Sequence, residues 1–148
     1  METTSVSTRS LQVATPTTHR PFRTAAVLGA GTMGAQIAAH LANAGLNVHL
    51  LDIAGEDAPN SVVEKSFKQT RKASPDPFVN DAAAARVTLG NFDEHFDRIA
   101  EADWVIEAVV ERMDIKRDVH ARVEAHAAAD AVISTNTSGL PIHEITDG

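Results

Sequence analysis

The residues best suited to chemistry lie in short runs, each placed directly after an apolar stretch. The first run is Gly29-Ala30-Gly31-Thr32-Met33-Gly34, glycines at GxGxxG spacing that follow Ala25-Ala26-Val27-Leu28. Asp52 closes a second apolar stretch, eighteen residues past Gly34. Two further runs, residues 107–111 (beginning and ending in Glu107 and Glu111) and Asn136-Thr137-Ser138, follow later apolar stretches. Glycines at this spacing suit a dinucleotide. Gly29 permits a tight strand-to-helix turn, Gly31 lets backbone approach a pyrophosphate, and Gly34 lets the helix lie close on the strand. The start of that helix offers unpaired N–H groups and a partial positive charge to phosphates. Asp52 stands where a carboxylate accepts hydrogen bonds from adenosine ribose hydroxyls. A carboxylate there repels a 2′-phosphate, and Ile53-Ala54-Gly55 supplies no Arg to receive one, so NAD is favoured over NADP. The alternative reading is a plain βαβ unit whose glycines only turn the chain.

Strands and helices must hold these groups, and the hydrophobic pattern supplies them. A strand is expected up to residue 28, then a helix over 32–44 with Met33, Ile37 and Leu41 as its apolar stripe and Gly45 as a left-handed stop. A strand over 46–51 follows, then a helix over 61–73 that Ser74-Pro75-Asp76-Pro77 must break. A short helical stretch over 81–85 leads to a strand over 86–89, with Gly90-Asn91-Phe92 turning the chain toward a polar segment at 93–101. A buried strand over 103–107 precedes a long helix over 111–128, whose inward stripe is Ile115, Val119 and Val123. A last strand covers 131–134. Alternating strand and helix predict an α/β fold with a doubly wound, mainly parallel sheet and helices on both faces. In such sheets ligands sit beyond the carboxyl ends of strands, where the glycine loop, residues 107–111 and residues 136–138 all fall.

Composition narrows the function classes. The chain has 148 residues, 43% hydrophobic and 22% charged, which fits one globular domain. A net charge of −7 and the lack of a basic stripe argue against nucleic acid. No apolar run approaches the ~20 residues that span a bilayer. There is no Cys, and the seven His show no ligand spacing, so no metal site is expected. Residues 1–22 are rich in Ser and Thr without hydrophobic periodicity, and read as a flexible tail before a domain at 23–148. A cytoplasmic location is expected; the competing reading of the tail is an organellar transit peptide, against which Glu2, Pro16 and Pro21 count.

Taken together, the pieces GAGTMGAQIA, LLD, ADWVIEAVVER and STNTSGLPI resemble the NAD-binding N-terminal domain of L-3-hydroxyacyl-CoA dehydrogenases of fatty-acid β-oxidation. SPDPF, DWVIEAVVER and NTSGLPI look more like the large fused forms that also carry an enoyl-CoA hydratase domain. The resemblance runs from Thr24 to the C-terminus and implies a Rossmann-type fold. It implies the pyrophosphate loop at Gly29, Ala30, Gly31, Thr32, Met33 and Gly34, and the ribose at Asp52. It brings Glu111 and Lys116 to the cofactor, Asn136 to the nicotinamide, and Ser138 to the 3-oxygen of the substrate. A hydroxyl at Ser138 suits reversible oxidation of a C–OH, since it donates to a developing alkoxide or accepts from an alcohol. The bland readings stay beside these: Glu111 is favourable at any helix N-terminus, Lys116 is plain surface, and an Asn/Ser turn merely closes a strand.

In the helix after the second strand, over 61–73, the family uses a Ser and a Lys to touch coenzyme A, which match Ser66 and, by neighbourhood, Lys72. The opposing reading of Lys65, Lys68, Arg71 and Lys72 is a solvated basic face. Hydride transfer also needs a base for the hydroxyl proton. In the family that base is a His in a G-x-H-F-F-N-P motif about twenty residues past the Ser, whereas this sequence ends ten residues past Ser138. His143 and Glu144 are sequence neighbours and cannot form an orienting pair, so His143 reads as surface. The expectation is a cofactor domain that binds NAD but does not turn over alone. Its parent would use an acyl-CoA substrate and form a homo-oligomer. The alternatives are a non-catalytic NAD-binding module and a dehydrogenase of a free 3-hydroxy acid.

Overall fold

In the computed structural model, which describes residues 20–146, strand and helix alternate as the pattern requires. The elements are β1 (Thr24–Leu28), α1 (Thr32–Asn43), β2 (Asn47–Asp52), α2 (Ser61–Arg71), α3 (Asp81–Ala84) and β3 (Val87–Asn91). A 3-10 turn (Phe96–Glu101) leads to β4 (Trp104–Glu107), α4 (Met113–His126), β5 (Val132–Thr135) and α5 (Ile142–Thr146). All four strand pairings are parallel, in the order β3-β2-β1-β4-β5. The chain winds outward from β1 to β3, then returns to the other side of β1 for β4 and β5. That reversal opens a crevice at the carboxyl ends of β1 and β4, where the glycine loop lies.

The small apolar residues of β1 explain its central place. Ala25 and Val27 face one core with Val48, Leu50, Val63 and the alanines of α1. Ala26 and Leu28 face a second core with Val105, Phe96, Ile99, Val119 and Val123. Each large side chain so buried contributes about 1.5–3 kcal/mol. Helix α1 ends as expected: Gly45 has φ +95°, its N–H donates to the Ala42 carbonyl, and the Leu46 N–H donates to that of Leu41.

Two expectations need correction. Met33 is not part of the inward stripe of α1, being 55% exposed; the buried face is Ala35, Ala38, Ala39, Leu41 and Ala42. Alanines let the helix approach the sheet closely, which leaves Met33 to face the crevice. Nor do Gly90 and Asn91 turn the chain, since both belong to β3. A Cβ on Gly90 would come within 2.8 Å of the Leu51 side chain and 2.9 Å of Arg98 Nη1, so glycine makes room inside the strand. Asn91 is fully buried and pins the loops around it. Its Nδ2 donates to Asn60 Oδ1 and Glu94 Oε2, and its Oδ1 accepts from the Asp93 and Glu94 N–H groups.

The flexible tail expected over residues 1–22 lies mostly outside the described residues. From Arg20 on, the chain is tied to the start of β4. Arg20 pairs with Asp103 at 2.7 Å, the Arg23 and Thr24 N–H groups donate to Asp103 Oδ2, and Phe22 packs 5.7 Å from Trp104. Those N–H groups, first Arg23 and then Thr24, hold the Asp103 carboxyl below its ordinary pKa. Among the described residues no helix is long and apolar enough to cross a membrane.

Candidate functional site

The glycine loop contains glycines of two kinds. A Cβ on Gly29 would lie 2.5 Å from the Ala108 carbonyl oxygen, and one on Gly34 would lie 1.8 Å from that of Gly29. The packing of loop, helix and β4 therefore demands both, and Gly29 also has φ +102°. Gly31 differs. It has φ −61°, and a Cβ there would meet nothing within 4 Å. The fold does not require glycine at 31, and the open space beside it is room for a ligand. Helix α1 begins directly after it, with no side-chain cap and no acid in its first turn. Its N-terminal N–H groups and dipole are thus left to an anion.

Asp52 is already fixed toward this loop. Its Oδ2 accepts from the Ala30 N–H at 2.6 Å and its Oδ1 from the Ile53 N–H at 2.7 Å. A carboxylate has about four acceptor positions, so capacity remains for a pair of hydroxyls. The Ala30 carbonyl in turn accepts from the Ser66 hydroxyl of α2. The peptides on both sides of Ala30 are therefore held, the preceding one by β2 and the following one by α2.

On the other side of β1 a polar network ties three elements together. Glu107, the last residue of β4, is 3% exposed, and Lys116 of α4 is 1% exposed. Lys116 Nζ donates to both Glu107 oxygens, at 2.9 and 3.1 Å, and stands 3.5 Å from Glu111 Oε1. The Val109 N–H donates to Glu107 Oε1 at 2.8 Å, while the Val109 carbonyl accepts from Lys116 at 3.4 Å. Thr135, directly opposite Glu107 in the β4–β5 register, donates its hydroxyl to Glu107 Oε2 at 2.5 Å. The Thr137 N–H donates to Thr135 Oγ1, and the Thr137 hydroxyl donates to Glu111 Oε2. The loops after β4 and β5 are thereby fastened to each other.

A groove of about 440 Å³ joins these halves, lined by Gly29, Gly31, Thr32, Met33, Asp52, Glu111 and Asn136 among others. The structure therefore brings together most of the cofactor residues expected from the sequence. Ala30 and Gly34 shape the loop without lining the groove, and Lys116 stays out of it because its ammonium is sequestered by Glu107. This lysine is neither a groove residue nor plain surface. Ser138 lies exposed in the bend after β5 and is not among the residues lining the groove. Ser66 lines a neighbouring polar hollow with Gly31, Gln36 and Thr70, although its hydroxyl is engaged on the loop. Lys72 is exposed at the end of α2, and the residue reaching that hollow is Ala73. Arg71 is held by Asp76 and Asp81. His143 is exposed on α5. The sequence marks Glu107 as a polar strand end, but its burial against Lys116 and its bond to Thr135 went unrecognised; the available signal was an acid closing the apolar strand Trp104-Val105-Ile106 with a lysine on the next helix.

Comparison with known proteins agrees with this geometry. Residues 24–148 match the family model described as 3-hydroxyacyl-CoA dehydrogenase, NAD binding domain. A probable 3-hydroxyacyl-CoA dehydrogenase of Deinococcus radiodurans is 41% identical over 129 residues, covering 86% of this chain and 37% of that protein. A putative fatty acid oxidation complex trifunctional enzyme of Rickettsia prowazekii is 37% identical, covering 80% of this chain and 17% of that one. The crystal structure of 3-hydroxybutyryl-CoA dehydrogenase from Escherichia coli K12 superposes with a TM-score of 0.70 at 28% identity, over 86% of this chain and 27% of that one. The chain thus spans well under half the length of these relatives.

Proposed function

Because the chain belongs to the family of NAD-binding domains of 3-hydroxyacyl-CoA dehydrogenases, we propose that residues 23–148 are the cofactor half of such an enzyme. The parent would oxidise C3 of an L-3-hydroxyacyl-CoA to the ketone. NAD when bound supplies the hydride acceptor. The observation that carries this reading is the single groove shared by Gly31, Asp52, Glu111 and Asn136.

The roles of Gly31, Asp52, Glu111 and Asn136 are supported by their places in the groove, and those of Ser138, Ser66 and Lys72 by the family resemblance alone. Gly31 and the start of α1 receive the pyrophosphate, since space and donors coincide there. Asp52 takes the adenosine ribose hydroxyls and excludes a 2′-phosphate by charge. Strand order then sets direction. With adenosine over β2 and pyrophosphate over β1, the nicotinamide half falls over β4 and β5, beside Glu111 and Asn136. Asn136 orients the nicotinamide, and Ser138 in the next bend faces the reacting oxygen of the substrate. Ser66 and Lys72 are assigned to the coenzyme A moiety. The hydroxyl proton goes to a base outside these residues, because the described histidines lie away from the groove lining.

The test is to assay the polypeptide carrying this domain with NAD and either 3-hydroxybutyryl-CoA or free 3-hydroxybutyrate, following NADH absorbance. Turnover of the thioester alone is expected. Turnover of the free acid alone would replace the substrate assignment, and NADH binding with turnover of neither would favour a cofactor-sensing module.

A further inference from the structure

We propose that Glu107 is a positioning residue for the nicotinamide half of the cofactor, acting through the loops after β4 and β5 rather than by touching the dinucleotide. The proposal rests on the reading that a dinucleotide occupies the groove.

Stability alone does not explain a buried Glu107–Lys116 pair. Desolvating both charges offsets most of their attraction, and apolar pairs of similar volume often serve the fold as well. What an apolar pair cannot do is organise backbone. Here carboxylate and ammonium together engage both main-chain polar groups of Val109, and so the peptides on either side of it, at 2.8 and 3.4 Å. Val109 and Val110 form part of the groove wall, so the pair shapes a surface that a ligand meets. The same carboxylate reaches across to β5 through Thr135, whose Oγ1 accepts from the Thr137 N–H at 3.1 Å. Asn136 lies between those two threonines, and its own N–H donates to the Glu107 carbonyl at 2.7 Å. Main chain and side chain of Glu107 therefore both determine where Asn136 stands. The circuit closes when Thr137 donates to Glu111 at 2.7 Å, which fixes the other nicotinamide-side residue. None of these bonds reaches Asp52 or the glycine loop. The adenosine half has its own supports in Ala30, Ile53 and Ser66.

That separation provides a test with internal control. NADH and ADP are titrated separately into the wild-type 148-residue chain and into Thr135→Val and Glu107→Gln. Thr135→Val keeps shape and leaves the ion pair intact, so it retains the fold even if changes at Glu107 do not; thermal melts verify this. Thr135→Val is expected to weaken NADH by about tenfold or more, the scale of losing a bond to a charged acceptor, while ADP affinity stays unchanged. NADH emission in the complex should also shift as the nicotinamide loses its fixed surroundings. Glu107→Gln keeps an acceptor for the Val109 N–H and should fall between wild type and Thr135→Val. Equal weakening of NADH and ADP, or no weakening of NADH in Thr135→Val, would overturn the positioning role while leaving the dinucleotide site intact. A wild-type chain that binds neither probe would overturn the underlying reading as well.

Discussion

The Ala30 N–H donates to Asp52 Oδ2 at 2.6 Å, so the acid that ends β2 holds the glycine loop. One carboxylate thus has two tasks: shaping the turn at the pyrophosphate position and accepting from a ribose. Preorganisation of this kind lowers the ordering cost of binding, and it makes Asp52 the residue at which loop geometry and cofactor choice meet.

Replacing Asp52 by Ala removes both the ribose acceptors and the hold on Ala30. NADH affinity is expected to fall about 30-fold or more, since each charge-assisted bond is worth roughly 1.5–3 kcal/mol. The NADH-to-NADPH preference should narrow at the same time, because repulsion of the 2′-phosphate goes with the carboxylate. Parallel titrations of both nucleotides check this, and an unchanged ratio would remove the assignment.

Gly34→Ala and Gly31→Ala should part company in thermal melts. A Cβ at 34 would sit 1.8 Å from the Gly29 carbonyl oxygen, so destabilisation of about 3 kcal/mol or more is expected. A Cβ at 31 meets nothing within 4 Å and the backbone is at φ −61°. Gly31→Ala should leave stability unchanged or raise it by about 0.4–1 kcal/mol.

Lys116→Met leaves the Glu107 carboxylate buried without its main partner, at a cost of about 3–5 kcal/mol. Combining it with Glu107→Leu removes the stranded charge, and the double variant should recover most of that loss. Urea denaturation of the single and double variants measures the coupling; additive losses would contradict the pairing.

His49 on β2 gives a pH signature. Its Nδ1 is buried without a partner, and its pKa is lowered first by burial and then by Arg98, with Glu101 opposing at 3.8 Å. A depressed His pKa means the unfolded chain binds the proton more readily. The stabilisation is therefore fully present above the ordinary imidazole range and lost as pH falls through the folded-state value. Melting temperature should drop as pH falls below the ordinary imidazole range, and His49→Leu should flatten that part of the curve.

Much of this site is legible in the sequence because its parts are local. The spacing of Gly29, Gly31 and Gly34 encodes a turn and a helix start within six residues, and Asp52 follows after one helix and one strand. The Glu107 network is not local. Thr135 meets Glu107 only because β4 and β5 pair in one particular register, and Lys116 is recognisable as buried only once α4 is packed on the sheet. The same limit hid Asn91, whose turn-like Gly-Asn context gave no sign of the loops it bonds. Met33 failed for a subtler reason: two faces of α1 carry apolar residues, and only packing chooses the alanine face.

The most direct measurement is a fluorescence titration of NADH into the 148-residue chain and its Gly31→Ala variant. The wild-type chain is expected to bind NADH saturably, and Gly31→Ala to keep its melting temperature while losing about tenfold or more in affinity, as a methyl group enters the space where phosphate approaches backbone. Equal NADH affinity in the two proteins, or no saturable binding by the wild type, would contradict the assignment of this groove to the dinucleotide.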